Sequence, residues 1–294
     1  MSAEFDATFK TTLTVSGEGT FIVGEHEIGL FHAVVVVTVE VDATFKLGDV
    51  ITVTGDSIYT YVGHFAGGWI GVDGDGHHFL FSRSEFEVDR EITIDVTPFP
   101  ACFLAGTLIA TPTGERPVES LAIGDLVTTP DGTARPVRWI GRQVVVAVFA
   151  EPLHDFPVRI AAGALADGLP SRDLFVSPDH ALLLDGLLVQ AGALVNGVTI
   201  TRVREPAPHF TYFHIELEDH ALVLAEGQPA ETFVDNASRR RFDNWAEYEA
   251  LAEPAAVQKP EIALPRIKSA RQLPQRLRAR LAARAAAAAV PTAA

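Results

Sequence analysis

Short runs in which apolar and polar residues alternate, each soon ended by glycine, proline or an Asx-Gly pair, fill this chain from Thr8 to about Asn236. A period of two is the signature of half-buried strands, and runs this short leave no room for a helical core. Thr11 to Val15, Ile51 to Val53 and Glu91 to Val96 are the clearest examples, with turns supplied at Gly17 to Gly19, Gly48 to Asp49, Gly67 to Gly68 and Gly71 to Gly76. They predict an all-β module over residues 1–97. The prolines of Thr97-Pro98-Phe99-Pro100 then punctuate the chain, so residues 98–101 read as a linker. A second all-β unit follows over 102–236, with hairpin turns expected at Asp131-Gly132, Asp185-Gly186 and Asn196-Gly197. Residues 237–294 change character, with a helical candidate at Phe242 to Glu253 and an Ala- and Arg-rich stretch after Pro265. The fold class expected is therefore mainly β, in two units, with a helical or disordered basic tail.

Length and charge bound the function. A chain of 294 residues with 48% hydrophobic residues buries enough surface for two domains. The net charge is −15, yet residues 259–294 carry eight Lys or Arg against the lone Glu261, a local +7 that leaves −22 for the rest. An acidic body of this kind repels phosphate backbones, which argues against nucleic acid as a partner. The tail is a separate matter: Arg276, Arg280 and Arg284 are four apart, so a helix sets them on one face, against either solvent or a partner whose identity the sequence leaves open. The most apolar run, Ala33 to Val41, is short and valine-rich, which suits a buried strand and predicts no membrane span. Met1 to Lys10 is acidic and shows no classical signal peptide, which fits the cytoplasm or export by a leaderless route. The pentapeptide Asp-Ala-Thr-Phe-Lys occurs at Asp6 to Lys10 and again at Asp42 to Lys46, too few copies to define a repeat.

Chemistry-bearing residues are few. Asp73, Asp75, His77 and His78 are ligand types for a metal, but alternating Gly and Asp make a tight hairpin and no calcium-loop spacing follows, so no metal and no cofactor is expected. The one cysteine, Cys102, excludes an internal disulfide and a cysteine-rich zinc site. Alone it reads more readily as a small buried hydrophobe than as a reactive group. Its neighbours decide otherwise.

Cys102-Phe103-Leu104-Ala105-Gly106-Thr107-Leu108, followed by Val118-Glu119-Ser120-Leu121-Ala122-Ile123-Gly124-Asp125-Leu126-Val127, resembles the first block of the hedgehog/intein (Hint) superfamily. Phe175-Val176-Ser177-Pro178-Asp179-His180 resembles the family's Thr-x-x-His element, with Ser177 in place of threonine. Tyr212 to Leu224, carrying His214 and His220, resembles the closing hairpin. The resemblance implies a horseshoe-like all-β Hint domain over 102–236, of the bacterial intein-like autoprocessing type. It implies Cys102 as nucleophile, Ala101-Cys102 as the scissile bond, His180 as general acid and Ser177 as a hydrogen-bonding partner of that bond. His214 and His220 become candidate proton-transfer groups, His214 in particular as a base for the thiol.

Splicing relatives end His-Asn before Cys, Ser or Thr. This chain has Glu231-Thr232-Phe233-Val234-Asp235-Asn236-Ala237, and neither register supplies both the cyclising Asn and an acceptor after it. The expectation is thioester-mediated self-cleavage without splicing, the chain's own N-terminal segment being the substrate and water or a small nucleophile the acceptor. The competing expectation is a non-catalytic structural or display module beside a β-rich binding domain.

Overall fold

In the computed structural model the described residues are 2–17, 20–36, 50–53, 57–65, 68–82, 85, 88–89, 91–93, 101–147, 150, 152–232, 239, 242–251 and 261–289. The second Asp-Ala-Thr-Phe-Lys copy, the linker before Ala101 and the Asn236-Ala237 pair lie outside them.

The N-terminal strands are β1 (Ser2–Gly17), β2 (Thr20–Val36), β3 (Val50–Val53), β4 (Ser57–Phe65), β5 (Gly68–Val72), β6 (His78–Ser82) and β7 (Glu91–Thr93). Each of the first six pairs antiparallel with its neighbour in sequence, and β6 pairs back onto β1, so the ladder closes on itself. Closure pairs each of those six with a strand on either side, though β1 meets β6 only from Phe9 to Leu13 and β2 meets β3 only at Ala33 and Val34. β7 adds to β2 at Thr20 to Ile22. Trp69, Ile70, Leu80 and Phe81 are fully buried, with the Trp69 and Phe81 rings stacked at 4.2 Å. The expected Gly/Asp hairpin joins β5 to β6: Asp73 Oδ1 accepts the N–H of Asp75 (3.0 Å) and of His77 (2.9 Å), an Asx turn in which the carboxylate serves the backbone.

The second unit contains β8 (Phe103–Leu104), β9 (Leu108–Thr111), β10 (Gly114–Pro117), β11 (Leu126–Thr128), β12 (Ala134–Pro136), β13 (Trp139–Val146), β14 (Val158–Ile160), β15 (Leu174–Val176), β16 (Ala181–Leu184), β17 (Leu187–Gln190), β18 (Ile200–Arg202), β19 (His209–Glu216), β20 (Leu222–Ala225) and β21 (Gln228–Glu231). The one-turn helix α1 (Ala191–Leu194) follows β17, and α2 (Trp245–Glu249) lies within the expected helical stretch. One sheet runs β13-β19-β8-β15-β14-β18 and another β10-β9-β20-β21-β16-β17, with β11 and β12 as a separate hairpin. The Asp185-Gly186 turn works as its composition predicts: both residues have positive φ (50° and 78°), the requirement of a tight two-residue hairpin between β16 and β17. At Asn196-Gly197 the Asn196 side-chain oxygen accepts the N–H groups of Val198, Thr199 and Ile200, closing the loop before β18. The mainly β fold class holds.

The basic tail is not an appendage. Arg266–Ile267 forms β22, which pairs in parallel with β17 and extends the second sheet. Helix α3 (Gln275–Ala289) puts Leu277, Leu281 and Ala285 against the body, all buried; Leu277 and Leu281 join Ile109, Val127, Leu182 and Val223 in one apolar cluster. The spacing of four does set the arginines on one face, and that face meets the chain's own carboxylates: Arg280 pairs with Asp185 at 2.9 Å and Arg284 with Asp167 at 2.5 Å. Such exposed pairs each contribute at most about 1 kcal/mol, so the leucines carry the docking. No helix among the described residues is long and apolar enough to cross a membrane.

Leu277→Ala is accordingly expected to destabilise the second unit by about 2–5 kcal/mol in urea or thermal unfolding, as for a core position. A change under about 0.5 kcal/mol is the outcome for a tail that merely rests on the surface.

Candidate functional site

The site is built around the two-residue strand β8. It is hydrogen-bonded on both edges, with Phe103 opposite Val176 of β15 and opposite Phe213 of β19. Antiparallel register then fixes what lies beside Cys102, one residue earlier: Ser177 on one side and His214 on the other. Residues 75 and 112 positions away in sequence are thereby brought to one peptide unit.

The contacts are specific. The Cys102 N–H donates to Ser177 Oγ (2.9 Å), and the Ser177 N–H donates to the Cys102 carbonyl (2.9 Å). On the other side, His214 Nδ1 meets the Ala101 carbonyl oxygen and lies 4.0 Å from Cys102 Sγ. A carbonyl oxygen only accepts, so this contact requires the proton on Nδ1. Burial holds the His214 pKa down at about 3, with the neighbouring His180 acting in the same direction, so the ring is neutral at ordinary pH. The thiol of Cys102 is fully buried.

His180 ends the turn that begins at Ser177. Its N–H donates to the Ser177 carbonyl (3.1 Å), the bond that makes Ser-x-x-His a compact unit, and its ring packs on Phe103 with centroids 4.3 Å apart. Burial lowers its pKa, against the opposing charge of Glu231. Nε2 faces the Glu231 carbonyl at 3.1 Å, which places the hydrogen of the neutral ring on Nε2, and the ring also interacts with the Cys102 backbone.

His220 lies elsewhere. It is buried beside the Glu231 carboxylate (Nε2 to Oε2, 3.7 Å), and its Nδ1 accepts the N–H of Ile262. The contacts of His220 are with Glu231 and Ile262, and it is not among the groups that meet Cys102 in the way Ser177 and His214 do. Thus Cys102, Ser177 and His214 surround the Ala101-Cys102 bond, His180 adjoins them, and His220 belongs to a second cluster.

Aromatic residues close the site. Phe242 lies tilted over the His214 ring (centroids 5.7 Å) and edge-on to Trp139 (5.2 Å). Gly141, paired with His214 across β13 and β19, makes this possible, because a Cβ there would sit 2.6 Å from the Phe242 ring. The segment is pinned by Arg239, whose Nε donates to the fully buried Glu216 at 2.8 Å. Tyr212, in the same buried cluster as Cys102, donates its O–H to the Asp155 carbonyl (2.9 Å). Sequence reasoning missed Phe242, Arg239 and the Glu231 cluster, since none carries a motif. The one available hint was Gly141, a glycine inside a strand, which often marks close approach.

The histidine burial has a measurable consequence. Below an unfolded-state pKa of 6.5 and above the folded value of about 3, the unfolded chain takes up a proton at position 214 that the native chain refuses. Stability contributed by this group is thus intact above about pH 6.5 and falls with decreasing pH, by about 1.4 kcal/mol per unit. His214→Gln is expected to flatten that part of the acid limb, measured by urea unfolding between about pH 7 and about pH 4.

The comparisons with known proteins bear on residues 101 onward. Residues 101–237 match the Hint_2 family model, described as a Hint domain, which is 137 of the 294 residues. No curated protein matches the chain. Among solved structures, the gp41-1 intein is 16% identical (TM-score 0.33), covering 45% of this chain and 98% of that one. The MchDnaB-1 intein is 19% identical (TM-score 0.31; 43% and 98%). A bacterial intein-like domain from Clostridium thermocellum is 18% identical (TM-score 0.33; 45% and 98%). Residues 101–237 of this chain are a Hint domain.

Proposed function

We propose that this Hint domain cleaves its own chain at the Ala101-Cys102 bond through a thioester, and does not splice. The observation that carries the reading is convergence on one peptide bond. Its carbonyl oxygen meets His214, its N–H meets Ser177, and the thiol of the residue that follows lies 4.0 Å from the same imidazole.

In the first step Cys102 Sγ attacks the Ala101 carbonyl carbon, and the C–N bond to Cys102 breaks as the C–S bond forms. One proton moves from sulfur to the departing nitrogen, so the rearrangement is balanced. His214, neutral and protonated on Nδ1, is a weak base but a well-placed donor to the developing oxyanion. A neutral imidazole in that electrophilic part acts without a charge to desolvate. This departs from the base role expected for it. Proton transfer then falls to His180, whose Nδ1 carries the lone pair: it accepts the thiol proton and, once charged, is the general acid for the amine. Ser177 Oγ holds the amide N–H and so fixes the orientation of the leaving nitrogen. Water then hydrolyses the thioester, releasing residues 1–101 as a free acid and restoring the thiol; a small amine or thiol would transfer them instead.

The absence of splicing rests on the domain's end. Thr232, at one of the two candidate cyclising positions, has no amide side chain. It is held in the hairpin, its N–H donating to the Ala221 carbonyl (3.0 Å) and its Oγ1 accepting the Ala221 N–H (2.9 Å).

The alternative, an inert structural or display module, is favoured by one observation: Cys102 is wholly buried beneath Trp139, Tyr212 and Phe242, so an outside nucleophile enters only if that cover moves. Intact mass spectrometry decides between them. The full chain and its Cys102→Ala variant are incubated with and without hydroxylamine or a small thiol. Fragments split between Ala101 and Cys102 in the wild type alone, with the added mass of the nucleophile, are expected; an unchanged mass under every condition supports the inert module.

A further inference from the structure

Glu231 is a buried carboxylate beside this site that no step above uses. It is 2% exposed, and an ion so placed is costly unless paired. Its partner comes from outside the matched domain: Arg266 of β22 reaches Oε1 at 3.0 Å and Oε2 at 2.8 Å. His220 faces Oε2, and because its Nδ1 accepts the Ile262 N–H (3.0 Å), its remaining hydrogen is directed at the carboxylate. Burial alone raises the Glu231 pKa, but the His220 and Arg266 contacts outweigh it and hold the group at about 2, a permanent anion at ordinary pH.

Glu231 acts on His180 in two ways, its carboxylate through the next residue and its main-chain carbonyl on the ring itself. Oε1 accepts the N–H of Ala181, the next residue, at 2.8 Å, and the Glu231 main-chain carbonyl accepts from His180 Nε2 at 3.1 Å. The second contact fixes the tautomer, keeping the hydrogen on Nε2 and the lone pair on Nδ1. The first holds the backbone that aims the ring. In catalytic triads a carboxylate performs this orienting service directly; here a carbonyl does so, kept in place by the carboxylate of the same residue.

We infer that Glu231 is a positioning residue for His180, and that the segment from Ile262 to Ile267, beyond the matched domain, completes the site by supplying Arg266 and the Ile262 amide. The cleavage part of the inference rests on the proposed self-cleavage. It gives the tail a purpose that its charge pattern did not reveal: it reaches back to the proton-transfer group by way of β22, whose pairing with β17 places Arg266 opposite Leu188.

The test uses the full chain in two arms. In the first, hydroxylamine-dependent cleavage is followed against pH for wild type, Arg266→Met, Arg266→Lys, Glu231→Gln and Glu231→Asp. Arg266→Met and Glu231→Gln are expected to slow cleavage roughly 10- to 100-fold through a misaimed imidazole, with Arg266→Lys and Glu231→Asp recovering part of it. The charges facing His180 are Glu231 and Arg266, with His214 adjoining as a neutral titratable ring, so Glu231→Gln is also expected to move its titration to lower pH. In the second arm, nitrogen NMR of the His180 ring is recorded in a Cys102→Ala background, which cannot cleave. A single Nε2–H tautomer is expected for that parent, and a mixture once Arg266→Met or Glu231→Gln is added. A tautomer and titration unchanged in both variants overturns the inference, even if cleavage slows, because the loss is then one of general stability. If the wild type does not cleave, the self-cleavage reading fails by itself, and the NMR arm alone decides whether Glu231 positions His180.

Discussion

Hydrogen bonding along both edges of the two-residue strand β8 is the constraint on which the candidate site depends. A strand this short contributes little by itself, yet as the central strand between β15 and β19 it has no freedom to slide, because a slip of one residue would turn Phe103 out of the core. Cys102 inherits that rigidity. Its carbonyl accepts the Ser177 N–H, continuing the ladder by one residue, and its own N–H donates to Ser177 Oγ, which holds the amide nitrogen on one side, while β19 presents His214 to the preceding carbonyl on the other.

Electrostatics follow from the same burial. The thiol and the His214 ring lie among Phe242, Trp139 and Tyr212, while the His180 ring packs on Phe103, and burial disfavours the charged form of both imidazoles. Neutrality is useful rather than incidental: each ring keeps one donor and one acceptor nitrogen, and the surrounding carbonyls decide which is which. The Ala101 oxygen selects the hydrogen on Nδ1 of His214, and the Glu231 oxygen selects that on Nε2 of His180. The two rings therefore differ in role by tautomer. The buried carboxylates of the neighbourhood are each matched by an arginine, Glu231 by Arg266 and Glu216 by Arg239.

The tail illustrates how one stretch serves two ends. Its leucines extend the core, and its first strand delivers an arginine to a carboxylate that would otherwise be stranded in apolar surroundings. Nothing in the Arg-rich pattern separates these duties from those of a solvated or partner-binding helix, because Arg276, Arg280 and Arg284 show the same spacing in every case. What distinguishes them is the acidic residues opposite, Asp185 and Asp167, which belong to turns far away in sequence.

Much was legible in the sequence because it is local. Alternation of apolar residues gives strands, Asp185-Gly186 gives a hairpin because its backbone angles suit few other pairs, and the Ser177-to-His180 spacing gives a turn closed by one hydrogen bond. Motif order alone brought Cys102, Ser177, His180, His214 and His220 onto one short roll of candidates. The tertiary structure decided what those residues face. It set His220 apart with Glu231, made His214 a donor to Ala101, laid Phe242 over the ring through the gap at Gly141, and folded Arg266 back across 35 residues to Glu231. The physical reason is that strand propensity and turn chemistry act over a few neighbouring residues, whereas protonation state, tautomer and access depend on which groups the long-range pairing of β8, β19 and β22 brings into contact.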